Sequence, residues 1–135
     1  MSDMSPLIVE LSASTEAVAA GADASVIVGR AGLAGVVTGV TYTPEANITG
    51  DNTESRTYSL VNKGTDGNGT TVIATLPMTT GVNGVDFDEK TITLSATAAN
   101  LVVADGEILA WTSTHVGSTG LADPGGRVKV LISRS

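Results

Sequence analysis

The sequence contains no cysteine, a single histidine and only four aromatic residues, namely one Trp, two Tyr and one Phe. Without cysteine, the chain has neither a disulfide framework nor a thiolate site. A lone histidine cannot build a multi-histidine zinc site. Because aromatic rings are so few, the core has to come from Val, Ile, Leu and Ala, and the ring platforms of sugar-binding proteins are scarce.

Basic residues are also few, since seven Lys and Arg stand against fourteen Asp and Glu, for a formal net charge of −7. Contact with phosphates requires a basic patch, so this balance argues against a nucleic-acid partner. The imbalance lies in residues 1–54, where Arg30 is the only base beside seven acidic residues. That half could seek a basic partner surface, although acidic residues also serve solubility.

Long apolar runs are missing as well. The start, MSDMSPLIVEL, places Asp3 and Glu10 around a short apolar run and has no basic leader, so we expect no signal peptide. The apolar stretch 17–28 is interrupted by Asp23 and is shorter than the roughly twenty residues of a membrane-spanning helix. We therefore expect no membrane contact.

What the chain does have is an alternation of period two, as in Val128, Val130 and Ile132 around Lys129 and Leu131. Such alternation is typical of strands with one face on a core and the other in water. Glycine-rich and polar turns such as TGVNG and DPGG separate the runs. The expected strands are 6–11, 25–30, 35–43, 55–62, 70–77, 90–95, 100–103, 107–114 and 127–133. A short helix within 14–21 is a weaker alternative.

Many short strands joined by close turns predict an all-β fold. We expect a single domain over residues 1–135, an antiparallel β-sandwich of jelly-roll-like form or a related barrel. Residues 1–11 are either its first strand or a docking arm.

The segment KGTDGNGTT, residues 63–71, could be a phosphate loop, a calcium loop or a turn. A phosphate loop carries its lysine after the glycines and before a helix, whereas Lys63 precedes them and a strand pattern follows. Asp66 and Asn68 lack the later glutamate of a calcium loop. We therefore predict a hairpin turn in which Gly64, Gly67 and Gly69 adopt left-handed conformations.

Two further patterns are candidates for catalysis. His115 lies near Ser113 and Ser118, but no nucleophile elbow precedes it, so we interpret it as a hydrogen-bonding residue near the surface. Asp86 and Asp88, in DFDEK, would share one side of an extended segment, as a carboxylate pair does in glycosidases or around a cation. A solvated rim that guards a sheet edge is the simpler interpretation. We expect Trp111 in the core, and no enzyme, cofactor or metal.

The phrases RTYSLVNKG, GTTVIATL and GLADPGG give the chain an overall likeness, over residues 26–133, to known proteins. The sequence resembles small β-rich virion proteins of tailed bacteriophages, in particular the capsid decoration, or cement, proteins. This resemblance implies a homotrimer on the outer surface of an icosahedral capsid, with the major capsid protein as partner. It also implies a mechanical role, without a catalytic group or cofactor.

The candidate capsid or subunit contacts are Pro6, Leu7, Ile8 and Val9, because Pro6 blunts the start of an apolar stripe that continues to Leu11. The alternative is that these side chains fill the core of their own subunit. Other functions also stay open at this point. They are a head-fibre, tail or receptor- or carbohydrate-binding module of a phage particle, and a hydrolase that uses His115.

Overall fold

The computed structural model of the chain describes residues 7–134 and confirms the predicted all-β antiparallel sandwich, in which two sheets pack against each other. Neither sheet closes into a barrel within this range. The strands are β1 (Ile8–Thr15), β2 (Ala24–Arg30), β3 (Gly35–Pro44), β4 (Ser55–Asn62), β5 (Thr71–Pro77), β6 (Lys90–Thr91), β7 (Val102–Val103), β8 (Ile108–Val116) and β9 (Gly126–Arg134).

The first sheet has the order β1-β9-β3-β6, and the short β7 pairs with the other end of β3. The second sheet has the order β2-β8-β4-β5. Consecutive strands β1 and β2 thus lie in different sheets, each at the end of its sheet, and they contact each other. This crossing places the loop between them at one end of the sandwich.

The core follows from the alternation in sequence, because inward-facing residues of both sheets meet between the layers. On β9 the inward side chains are Val128, Val130 and Ile132, each at most 1% exposed. Three of the four aromatic residues, Tyr42, Tyr58 and Trp111, pack together, with ring centroids 4.8 to 5.4 Å apart. The prediction that Trp111 belongs to the core is confirmed.

Two of the predicted strands are broken in the structure. The segment 90–95 pairs with β3 at Lys90 and Thr91, and the Ile92 N–H still donates to the Val40 carbonyl, but Leu94 then bridges Ala74 of the second sheet. A segment that changes sheet cannot remain one strand. The segment 100–103 starts inside a four-residue 3₁₀ helix, Ala98–Leu101, and only its last two residues form β7.

The alternative of a helix within 14–21 is wrong. Residues 14 and 15 complete β1, Val18 forms a bridge with Asp123, and Gly21 turns the chain with φ of +81°. The described residues contain no helix that could span a bilayer, since their helical segment is one short 3₁₀ turn.

Candidate interaction surfaces and the polar network behind them

The predicted contact residues differ in how exposed they are in the structure. Pro6 lies outside the described residues. Leu7 and Ile8 are 45% and 58% exposed, whereas Val9 is half-buried. The segment is tied down at its start, because the Arg134 N–H donates to the Leu7 carbonyl at 2.9 Å. From Ile8 onward this segment is therefore the first strand of the sandwich.

The alternative interpretation, that the apolar stripe fills the core, holds for its later part. Leu11 packs against the core cluster and against Gly29 of β2, where an added Cβ would lie 3.3 Å from the leucine side chain. Ile8 points away from that core, and so does Ile27 of β2, which is 65% exposed. We call β1 and β2, with the exposed Leu7, Ile8 and Ile27, the β1–β2 edge.

Within residues 7–134, β1 pairs only with β9 and β2 only with β8, so each strand has an unpaired side. Unpaired strand edges present backbone N–H and C=O groups that can accept another strand. Exposed Ile side chains beside them add apolar area to such a contact. The β1–β2 edge is therefore a candidate contact surface for another protein chain.

A buried polar network lies at the end of the sandwich where the β1–β2 loop crosses. Arg56 is fully buried, and its Nε donates to the Leu121 carbonyl at 2.7 Å. Its terminal nitrogens donate to Ser113 Oγ at 3.0 Å and to the carbonyls of Ala19 and Ala22 at 3.2 and 3.0 Å. One guanidinium thus fastens the β1–β2 loop and the β8–β9 loop to β4.

Asp123 is the acidic residue of the network, is linked to Arg56 through Ser113, and is 2% exposed. Its carboxylate accepts hydrogen bonds from Tyr42 Oη at 2.6 Å, Ser113 Oγ at 2.8 Å and the Gly125 N–H at 3.0 Å. Burial, together with this carboxylate, raises the pKa of Tyr42 far above its usual value. Every group of this network is used in holding loops, so we interpret it as structural.

A pocket of about 510 Å³ lies beside the network, between the β1–β2 loop and the sheet. Its wall is formed by residues 14–19 and 22–26, and Trp111, Ser113 and Asp123 contribute to its lining. The buried Trp111 Nε1 has no hydrogen-bond partner within residues 7–134. The pocket offers hydroxyl and carboxylate oxygens to a small polar molecule.

His115 is a hydrogen-bonding residue near the surface, as predicted. Asp23 Oδ1 accepts from the His115 backbone N–H at 2.9 Å and lies 2.7 Å from its Nδ1. These contacts, the backbone hydrogen bond first, lower the pKa of Asp23. The neighbouring serines are used elsewhere, Ser113 in the buried network and Ser118 as a donor to Glu54 at 2.8 Å. This arrangement does not place a serine on the histidine.

The glycine-rich segment is a hairpin turn between the antiparallel strands β4 and β5, which confirms the prediction. Gly64 and Gly67 have φ of +70° and +83°. The expectation for Gly69 is wrong, because its φ is not positive; an added Cβ there would lie 2.5 Å from the Asn62 carbonyl oxygen. Close packing, not handedness, requires that glycine. The described residues hold no cluster of three metal-binding side chains.

The segment with Asp86 and Asp88 is a turn and not the extended segment that the sequence predicts. The Asp88 N–H donates to the Val85 carbonyl at 3.1 Å, which closes a four-residue turn. Phe87 occupies its third position with φ of +58° and is the one non-glycine residue of the described chain with positive φ. Its side chain is 78% exposed. We call residues 85–88 the Phe87 turn.

Phe87 stands where a turn of this kind favours glycine, since only the third residue has positive φ, as in type II turns. An L-residue with a Cβ in this region is strained by about 1–2 kcal/mol. The strain persists because two backbone N–H groups of the turn are held by the segment 44–47. The Phe87 N–H donates to the Pro44 carbonyl at 2.8 Å, and the Asp86 N–H donates to Asn47 Oδ1 at 2.9 Å.

No family model, curated protein or solved structure shows a significant match to this chain.

Proposed function

We propose that the chain is a structural virion protein that binds the outer surface of an icosahedral phage capsid and reinforces the contacts between capsomers. It acts as a homotrimer whose partner is the major capsid protein. The resemblance of residues 26–133 to decoration proteins suggests this role, and the β1–β2 edge is the observation in the structure that supports it.

A decoration protein needs a surface that repeats identical contacts around a symmetry axis. The β1–β2 edge offers unpaired strand sides together with the exposed Ile8 and Ile27, within a chain whose other apolar strand residues mostly face the core. Copies arranged head to tail around a three-fold axis bury such an edge three times. A trimer held to the shell by one subunit presents the other two at high effective concentration.

The proposal is tested by the copy number of this chain relative to the major capsid protein in purified particles, measured by quantitative mass spectrometry. We expect a ratio near one copy per shell subunit. A few copies per particle would indicate a fibre or tail role, and absence from the particle would overturn the virion role.

The role of the β1–β2 edge is tested separately with the isolated protein by light scattering. We expect the wild type to have the mass of three chains and Ile27→Asp to be monomeric with an unchanged fold. Thr38→Asp, at an exposed position of β3, is the matched control. If Ile27→Asp remains a trimer, the edge is not the subunit contact.

The pocket beside Trp111 favours a second candidate, a receptor- or carbohydrate-binding module of the particle. Its lining of hydroxyls and carboxylates and the unpartnered Trp111 Nε1 suit a polyol. However, Trp111 is only 1% exposed and offers no face for stacking on a sugar ring. A glycan array without binding would remove this candidate.

A further inference from the structure

We propose that the Phe87 turn is the element with which this protein docks on its partner, and that it inserts the Phe87 ring into an apolar pocket rimmed by Lys or Arg. This inference rests on the proposed function, in which that partner is the major capsid protein. It assigns the shell contact to the Phe87 turn and leaves the β1–β2 edge for contacts between subunits.

The first observation is where the chain places its aromatic rings. Tyr42, Tyr58 and Trp111 are each 1% exposed, whereas Phe87 is 78% exposed. Because the chain has only four aromatic residues, each ring left outside the core is a large loss of apolar area for the core. Val85, at the start of the same turn, is 53% exposed and adds to the apolar tip. Exposed aromatic side chains of this kind are the residues that dominate protein interfaces.

The second observation is that the backbone holds this residue in a positive-φ conformation that residues other than glycine disfavour. A strained residue persists only where its surroundings enforce it, and such residues concentrate at functional sites. Here the hydrogen bonds to Pro44 and Asn47 enforce it, and Gly84 and Ile48 exchange two further backbone hydrogen bonds of 2.9 Å just before the turn. The tip is thereby ordered before binding, which lowers the entropy lost on docking.

The third observation is charge. Asp86 and Asp88 flank the ring, are exposed, and form no ion pair within residues 7–134. The next acid, Glu89, is already paired with Lys129 at 2.7 Å. A pocket with a basic rim complements this tip. A second copy of the same chain is a poor source of such a rim, because it has seven Lys and Arg against fourteen Asp and Glu.

The test is co-sedimentation with capsids that lack this protein, purified from a deletion strain of the phage that encodes it. Wild type, Phe87→Ala and the double variant Asp86→Asn/Asp88→Asn are compared at low and high salt. Val102→Ala is the matched control, because Val102 is 55% exposed and pairs with the opposite end of β3. Melting temperatures of all variants are measured first.

We expect Phe87→Ala to bind roughly tenfold or more weakly than wild type, because a buried aromatic anchor dominates an interface of this kind. The double variant should bind several-fold more weakly at low salt and like wild type at high salt. Val102→Ala should bind as wild type does.

Two results would overturn the inference. If wild type binds and Phe87→Ala binds within about twofold of it, the Phe87 turn is not the anchor, and the proposed function remains intact. If wild type itself does not bind the capsids, the proposed function fails and the inference fails with it. Light scattering of wild type and Phe87→Ala tests the subunit contact separately. If both are trimers in solution, neither result can be attributed to a failure of the β1–β2 edge.

Discussion

The buried network around Arg56 and the Phe87 turn use unusual residues in opposite ways. Arg56 is a charged side chain placed inside, and each of its hydrogen bonds goes to the protein itself. Phe87 is an apolar side chain placed outside, on a backbone held by hydrogen bonds to the segment 44–48. The first region uses its contacts to stabilise the fold. The second receives support from the fold and leaves its ring free for a partner.

The largest expected effect comes from breaking the buried network. Arg56→Met fills a similar volume but leaves Ser113 Oγ and the carbonyls of Leu121, Ala19 and Ala22 without the guanidinium donor. We expect a loss of about 3–5 kcal/mol in the free energy of unfolding, because one change removes four hydrogen bonds that a charged group donates. Urea unfolding measures it. A loss below about 1 kcal/mol would show that the network contributes little to the fold.

Phe87→Gly tests the Phe87 turn. In contrast to Arg56→Met, it should slightly raise the free energy of unfolding. Removing the Cβ relieves about 1–2 kcal/mol of strain, and the added freedom of the unfolded glycine offsets about 0.5–1 kcal/mol. We therefore expect Phe87→Gly to be about 0.5 kcal/mol more stable than Phe87→Ala. Paired urea unfolding of the two variants measures the difference. If Ala is the more stable, the backbone at residue 87 is not strained.

Asn47→Ala tests whether the turn is held as described. This change removes the amide oxygen that accepts from the Asp86 N–H, in an exposed hydrogen bond. We expect a loss of about 0.5–1 kcal/mol in stability. Faster hydrogen exchange should be confined to the amides of residues 85–88. Faster exchange throughout the protein would mean that Asn47 supports the whole fold and not the turn.

The smallest effect is a pH dependence next to the buried network. Glu54 accepts from the backbone N–H groups of Gly120 and Thr119, and these hydrogen bonds lower its pKa from 4.5 to about 2. A lowered folded-state pKa stabilises the protein above pH 4.5, and this contribution is lost as the pH falls towards 2.

Thermal melts of wild type and Glu54→Gln between neutral pH and pH 2 test this expectation. As the pH is lowered, the melting temperature of Glu54→Gln should fall less steeply than that of wild type. Asp105→Asn, at an exposed position, controls for the change in net charge. Parallel curves for Glu54→Gln and wild type would contradict the assignment.

The fold could be predicted largely from the sequence, because alternation and turn residues are local signals. The strands 35–43 and 55–62 were predicted to within a residue of β3 and β4. The course of the segment 90–95 could not be predicted, since its change of sheet depends on contacts with Val40 and Ala74, which are distant in sequence. Local patterns carry no information on which sheet a strand joins.

The candidate sites were predictable only in part. Arg56 shares the inward face of β4 with Tyr58 and Leu60, so its burial was signalled by the same alternation that located the strand. The Phe87 turn gave no such signal. The letters DFDEK indicate neither the positive φ nor the hydrogen bonds to Pro44 and Asn47 that hold the turn.

The most direct measurement is a competition between wild type and Phe87→Gly for the same capsids. The two proteins are mixed in equal amounts with a limiting number of binding sites, and mass spectrometry gives their ratio on the sedimented particles. We predict that wild type is enriched roughly tenfold or more, although both proteins are folded. An equal ratio would contradict docking through Phe87, and particles that carry neither protein would contradict the capsid role itself.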